Sequence, residues 1–143
     1  MPSGRVHTIT TLALAAGSVI SGQDTALTVG ILSGLILSPD LDVDGGFVGM
    51  AHLRRVPLVG SILSKCWQWF WTPYALAVPH RSHISHSVFF GTCARVGYLV
   101  IPLLAINFMG VPMKLPTGTG LWFAGLCLAD ALHIFLDNTV RGK

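Results

Sequence analysis

Four apolar stretches, separated by polar or Gly- and Pro-containing connections, set the pattern of this chain. They cover residues 6–21, 25–38, 87–109 and 121–137. Asp24 directly precedes the second stretch and is predicted to be its helix N-cap, and Pro39 stops that stretch. Apolar runs of this length favour helices over strands, so the pattern predicts an all-α protein.

A bilayer core about 30 Å thick needs about 20 helical residues. The third stretch is long enough, whereas the first two reach only roughly 21–24 Å at 1.5 Å per residue and are marginal. Gly30 and Gly34 form a small-xxx-small pair that would let two helices approach closely in lipid. We predict one membrane-embedded domain over residues 1–143, a four-helix membrane bundle with an irregular, partly helical, aromatic-rich loop over 39–86. Core helices of a soluble bundle are the alternative, as is a signal peptide for the first stretch.

Composition favours the membrane interpretation. Of the 143 residues, 52% are hydrophobic and only 10% are charged, whereas a typical soluble domain has about 25% charged residues. No basic stripe interleaved with aromatic residues is present, so a charged nucleic-acid-binding face is not expected. The three cysteines are far apart, match no zinc spacing and are read as reduced, buried thiols.

The distribution of cations predicts an orientation. If all four stretches cross, the N-terminus, the 39–86 loop and the C-terminus share one side of the membrane. The other side carries only Lys114, and the shared side carries Arg5, Arg54, Arg55, Lys65, Arg81, Arg141 and Lys143. The positive-inside rule then places the shared side in the cytoplasm, and Trp67, Trp69, Trp71 and Tyr74 at the membrane interface.

The same side would collect the imidazoles and most of the carboxylates. His7 opens the first stretch, Asp40 and Asp42 follow the second, three histidines precede the third, and His133 and Asp137 close the fourth. The three histidines are His80, His83 and His86. His133 and Asp137, at i and i+4, share one helix face, and Asp40 and Asp42 would point the same way in an extended segment. Such a mixed ligand set suits zinc, iron or manganese.

Two further features refine this picture. The run beginning at Asp40 starts like a calcium-binding EF-hand loop, but Ala51 stands at position 12, where a Glu is needed, and the chain has no Glu at all. Arg95 and Asp130 would both lie at membrane depth, where a lone charge costs roughly 2.5–3.5 kcal/mol or more. We therefore predict that they neutralise each other, or that Asp130 supports a ligand histidine.

Several short motifs carry a resemblance over nearly the whole chain. They are "MPSGRVH", "SPDLD", "WTPY", "PHRSHISHS", "GTCARVGYL" and "ALHIFLD". In this order they resemble a family of uncharacterised membrane metal-binding proteins of cyanobacterial type. That family is similar to the YdjM-like inner-membrane metal-dependent hydrolases and, remotely, to the zinc-dependent phospholipase C and single-strand nuclease superfamily.

The resemblance implies a set of metal ligands: His7, Asp40, Asp42, His80, His86, His133 and Asp137. It does not extend to His83, and the chain departs from the pattern at Thr8, where an acidic residue is expected. The implied cofactor is one to three divalent ions, with zinc preferred and manganese or iron as alternatives.

The function implied is that of an integral-membrane metal-dependent hydrolase of the bacterial plasma (inner) membrane, acting on phosphoester bonds with metal-activated water. Its site would face the cytoplasm, Asp42 or Asp130 would serve as general base, and a lipid headgroup or small phosphate ester would be the substrate. Two alternatives stay open: a metal-binding membrane protein without catalysis, such as a metal-handling or scaffold component, and a membrane protein whose polar residues only cap helices.

Overall fold

The computed structural model describes residues 4–42, 56, 59–79, 82, 84–85, 87–112 and 114–141. This part of the chain contains five α-helices, one 3₁₀ helix and no strand, so the all-α prediction is confirmed. The helices are α1 (Gly4–Ile20), α2 (Thr25–Ser33), the 3₁₀ helix (Pro39–Asp42), α3 (Val59–Ala77), α4 (Val88–Phe108) and α5 (Thr119–Arg141).

A tight turn folds α2 back against α1. Gly22 adopts φ 68° in this turn, a left-handed conformation that glycine takes without steric cost. Asp24 is the N-cap of α2, as predicted, because its side chain accepts a hydrogen bond from the Ala26 amide at 2.7 Å. The Ser18 and Thr28 hydroxyls, 2.8 Å apart, join the two helices.

Glycines allow α2 to lie directly against α5. A Cβ added at Gly30 would collide with the backbone of Trp122, and one added at Gly125 would collide with the backbone of Leu27. Gly34 likewise contacts the Ala129 side chain. The close helix approach predicted from the Gly30 and Gly34 spacing is therefore present, and α5 is the partner.

The aromatic-rich connection is more regular than predicted. Its residues 59–77 form α3, and most of its aromatic rings point inward. Trp71 and Tyr74 are 3% and 4% exposed and pack with Leu37, Leu41 and Leu126. The predicted aromatic belt is therefore wrong for Trp71 and Tyr74, which form the core, whereas Trp69 is 81% exposed.

Two helices of the described chain are long and apolar enough to cross a membrane, Val88–Phe108 and Thr119–Thr139. Only 17% and 28% of their most apolar windows are buried within the protein. This pattern suggests association with a membrane. The four crossing helices of the prediction are not confirmed, because α2 ends after nine residues and α1, with 17 residues, is shorter than the roughly 20 residues that a crossing needs.

Candidate metal centre

The start of α1 and the end of α5 bring two imidazoles and a carboxylate together. His7 Nε2 lies 3.2 Å from Asp137 Oδ1, and His133 Nε2 lies 3.7 Å from Asp137 Oδ2. The two imidazole rings stack with their centroids 3.9 Å apart and an interplanar angle of 16°. Each of the three residues offers one ligand atom, and these atoms all lie within 4.8 Å of one another.

Helix packing explains why residues from distant parts of the chain meet here. His133 and Asp137 are one turn apart on α5, so both project from the same helix face. Ala15 of α1, Ile31 of α2 and Ala129 of α5 form a small buried cluster next to this face. Because two of these three side chains are alanines, α1 can come close enough to α5 for His7 to reach Asp137.

Asp40 approaches from the 3₁₀ helix. Its Oδ2 atom lies 3.5 Å from His133 Nε2. The neighbouring Leu41 is 2% exposed and packs against the aromatic core, so the 3₁₀ helix is anchored beside α5. The predicted extended conformation is wrong at this point, because successive residues of a 3₁₀ helix turn by about 120° and residues i and i+2 do not point the same way.

A cavity of about 70 Å³ opens beside this cluster. His7, Asp40 and His133 contribute to its wall, and so do Asp130 and Ser38. Its volume exceeds the roughly 10–15 Å³ that one water molecule requires. The cavity can therefore hold several water molecules, or a small polar ligand, in contact with the clustered imidazoles and carboxylates.

Burial affects the protonation of His7. Partial burial lowers the pKa of His7 below its usual value of 6.5, and the adjacent His133 acts in the same direction. His7 is therefore neutral at pH 7, which is the form that binds metals. His7 Nδ1 and His133 Nε2 are both buried without a hydrogen-bond partner, so a ligand at either atom would satisfy a polar group that protein contacts leave unpaired.

Arg95 of α4 and Asp130 of α5 form an ion pair through Arg95 Nη2 and Asp130 Oδ2, and the predicted neutralisation is confirmed. Their side chains are 0% and 1% exposed. The Thr92 hydroxyl donates a hydrogen bond to the same Asp130 oxygen. Since Asp130 also lines the cavity, the pair connects α4 to the imidazole cluster.

Seven ligands were expected from the resemblance, and the structure brings four of them together: His7, Asp40, His133 and Asp137. The Asp42 side chain, His80 and His86 lie outside the described residues, as does His83. Thr8, at the position where an acid was expected, lines the cavity, but its hydroxyl donates to the Gly4 carbonyl at 2.9 Å. Sequence reasoning gave no signal for Ser38, another hydroxyl of the wall.

The described residues are helical, and their imidazoles and carboxylates converge beside a small cavity. These features are typical of a helical metal-binding protein. Its family bears out that class: the chain belongs to the family described as "Uncharacterized metal-binding protein (DUF2227)", whose model matches residues 2–117. The match includes His7 and Asp40 and ends before His133 and Asp137. No curated protein and no solved structure matches the chain. The comparisons give no support to the expected relationship with YdjM-like hydrolases or phospholipase C.

Proposed function

We propose that the protein binds a divalent cation, zinc in the first place, through His7, Asp40, His133 and Asp137. The observation that carries the proposal is the convergence of the His7, His133 and Asp137 ligand atoms within 4.8 Å. Two atoms that each lie about 2.1 Å from a tetrahedral ion are roughly 3.4 Å apart. The separations of 3.2, 3.5 and 3.7 Å in this cluster match that distance closely.

Asp42, His80 and His86 complete the proposed ligand set by the family resemblance, and manganese or iron are alternatives to zinc. With more than four ligands, the site could hold two or three ions. The described residues alone supply two imidazoles and two carboxylates, which suffice for one ion.

The membrane placement is also part of the proposal. A core helix of a soluble protein is mostly buried, whereas α4 and α5 leave most of their apolar surface uncovered. We propose that both helices cross the bacterial inner membrane, with Lys114 in their connection on the outer side. The metal site and both termini then face the cytoplasm, in agreement with the positive-inside rule.

For the chemistry at this site, we propose hydrolysis of phosphoester bonds, supported by the cavity beside the ligands. A divalent cation supplies Lewis acidity to a water molecule and to a phosphoryl oxygen. Asp130 is suited to accept a proton, because Arg95 and Thr92 hold its Oδ2 atom while its Oδ1 atom is buried without a hydrogen-bond partner. Asp42 is the other candidate general base, and a lipid headgroup or small phosphate ester is the proposed substrate class.

Metal binding without catalysis is the second candidate function. The stacking of the half-buried His7 ring on the buried His133 ring favours it, because rings stacked in this way leave little space between them. The two candidates differ in whether a coordination position stays open to water.

Elemental analysis of the purified, dialysed protein tests the metal site. We expect stoichiometric metal in the wild-type protein and its loss in Asp137→Asn, which removes a charged ligand without changing side-chain size. Asp24→Asn is the matched control, since Asn also caps helices and Asp24 follows the end of α1 that is opposite to His7. Substoichiometric metal in all three proteins would refute the site.

Hydrolysis of an aryl phosphate by the metal-loaded protein separates the two candidate functions. Activity that disappears in Asp130→Asn, while the metal content stays at the wild-type level, supports the hydrolase. Full metal occupancy without turnover of aryl phosphates or phospholipids supports binding alone.

A further inference from the structure

We propose that the hairpin of α1 and α2 crosses the membrane beside α5 and presents its outer side to lipid chains. The turn between the two helices, residues 21–24, then lies at the membrane surface opposite the metal centre. The inference rests on the proposed crossing of α5, whose apolar part runs from Thr119 to Thr139. Contacts of the hairpin with both ends of α5 carry it.

The register of α1 against α5 fixes the depth of the turn. His7, near the start of α1, lies beside Asp137, near the end of α5. Further along the same two helices, Ala15 and Ala129 belong to one buried cluster. Eight residues separate the two positions on each helix, so α1 and α5 run antiparallel with the same rise. Continued at this register, the turn at 21–24 is level with the first turn of α5.

The contacts of α2 lead to the same depth independently. A Cβ added at Gly118, directly before α5, would lie 2.9 Å from the Cβ atom of Ala26, in the first turn of α2. At the other end, Asp40 reaches His133. Asp40 follows Ala26 by 14 residues and His133 follows Gly118 by 15, so the two chain segments run side by side between the same two levels.

The outer side of the hairpin has the composition of a lipid-facing surface. Every exposed residue of α1 after Arg5 is apolar or glycine, and Ile9 and Ile20 are 66% and 86% exposed. A helix at a water-facing surface instead carries polar residues on its outer side. Asp24 is the only Asp, Glu, Lys or Arg residue between Arg5 and Asp40, and it lies in the turn. The crossing therefore places no charge at bilayer depth, and a turn without Lys or Arg suits the side opposite the cytoplasm.

The packing of the hairpin also fits a lipid environment. Glycines set the contacts between α2 and α5, and the Ser18 and Thr28 hydroxyls, 2.8 Å apart, link α1 to α2. Small residues and hydroxyl bonds between helices are common means of helix association in a bilayer. With 17 residues, α1 extends about 26 Å. The polar turn adds to this length, and a bilayer becomes thinner around a helix shorter than its apolar core.

Cysteine labelling of the full chain in intact bacterial cells tests the crossing. The three native cysteines are replaced by alanine, and one cysteine is introduced as Gln23→Cys in the turn. The matched controls are Arg5→Cys at the start of α1 and Lys114→Cys in the connection before α5. A maleimide that does not cross membranes is added before or after the inner membrane is made permeable.

We expect positions 23 and 114 to react on one side of the membrane and position 5 on the other. If position 23 reacts on the side of position 5, or on neither side, while position 114 reacts opposite to position 5, the inference is overturned and the crossing of α5 stands. Positions 5 and 114 on the same side reject the crossing of α5, and the inference with it. Metal content, measured on the same proteins, reports the proposed metal site separately.

A nitroxide at Ala16→Cys, an exposed position of α1, identifies the occupant of the outer side in vesicles of phosphatidylcholine and phosphatidylglycerol. The matched control carries the same label at Gln23→Cys. We expect position 16 to collide more often with oxygen, which dissolves in lipid, and position 23 more often with a water-soluble nickel chelate. Water-like accessibility at position 16 overturns the lipid contact. Shielding of position 16 from both reagents, with spin–spin coupling between molecules, also overturns it and indicates a second copy of the chain.

Discussion

The imidazole rings of His7 and His133 stack face to face, with centroids 3.9 Å apart, although they belong to the first and the last helix described. Both rings also lie close to the carboxylate of Asp137: the His7 ring is next to its Oδ1 atom, and the His133 ring is next to its Oδ2 atom. Neither α1 nor α5 alone can form this arrangement. The proposed metal site therefore exists only when the two helices are docked, and metal binding should be coupled to that docking.

This coupling predicts the behaviour of a double-mutant cycle. His7→Ala and His133→Ala should each weaken zinc binding by more than the roughly 10–100-fold typical of residues that merely support a ligand. The double variant should lose little more than either single variant, because one deletion already removes the site. Titration calorimetry measures the affinities, and Ser21→Ala in the exposed turn after α1 is the control. Fully additive losses would show that the two histidines act at separate places.

The pH dependence of the metal-free protein should report the burial of His7. Its pKa in the folded protein is below the unfolded value of 6.5, so the unfolded chain binds more protons between these two values. The stability contributed by this group is complete above about pH 6.5 and decreases as the pH falls through the pKa of the folded protein. Denaturant unfolding in detergent across this range should show a smaller decrease for His7→Gln. An identical decrease in both proteins would exclude His7 as its source.

Removing one member of the buried ion pair should lower the free energy of unfolding more than removing both members. Arg95→Leu leaves Asp130 as an unpaired buried carboxylate, so we expect a loss of about 3–5 kcal/mol in the free energy of unfolding. The double variant Arg95→Leu, Asp130→Leu should recover much of this loss, because no charge remains buried. Lys65→Ala, which removes an exposed cation, should change stability by less than about 0.5 kcal/mol. A double variant no more stable than Arg95→Leu would contradict the assigned pairing.

Two glycine substitutions should have opposite effects. Gly30→Ala places a Cβ against the Trp122 backbone and should destabilise the protein by about 1–3 kcal/mol, the usual range for overpacking. Gly17→Ala in α1 meets no atom within 4 Å and should stabilise by about 0.5–1 kcal/mol, since alanine favours the helix. Thermal unfolding in detergent measures both. Equal effects of the two changes would mean that α2 and α5 are not in close contact.

Local features of this protein could be predicted because they depend on neighbours in sequence. The Asp24 cap, the glycine contact surface of α2 and the shared face of His133 and Asp137 all follow from helical periodicity and backbone geometry. The partner of Arg95 was also predictable, because two opposite charges in apolar segments have few other means of neutralisation. The expectations for the connection over 39–86 were less accurate, since hydropathy does not show whether an aromatic ring faces lipid or protein. Trp71 and Trp69 have the same propensities, and only packing against Leu41 and Leu126 separates them.

The sequence by itself determined that this chain is helical, that its polar chemistry is concentrated at the ends of apolar stretches, and which residue types could bind a metal. These properties depend on hydrophobicity, spacing and side-chain chemistry, all of which can be read directly from the amino-acid sequence. Only the tertiary structure decided that His7 meets Asp137, that Asp40 reaches His133 from a 3₁₀ helix, and that α3 packs its aromatic rings inward. Such contacts depend on how closely helices approach one another. That distance is set by the small residues and the shape of the whole core, which no single segment encodes.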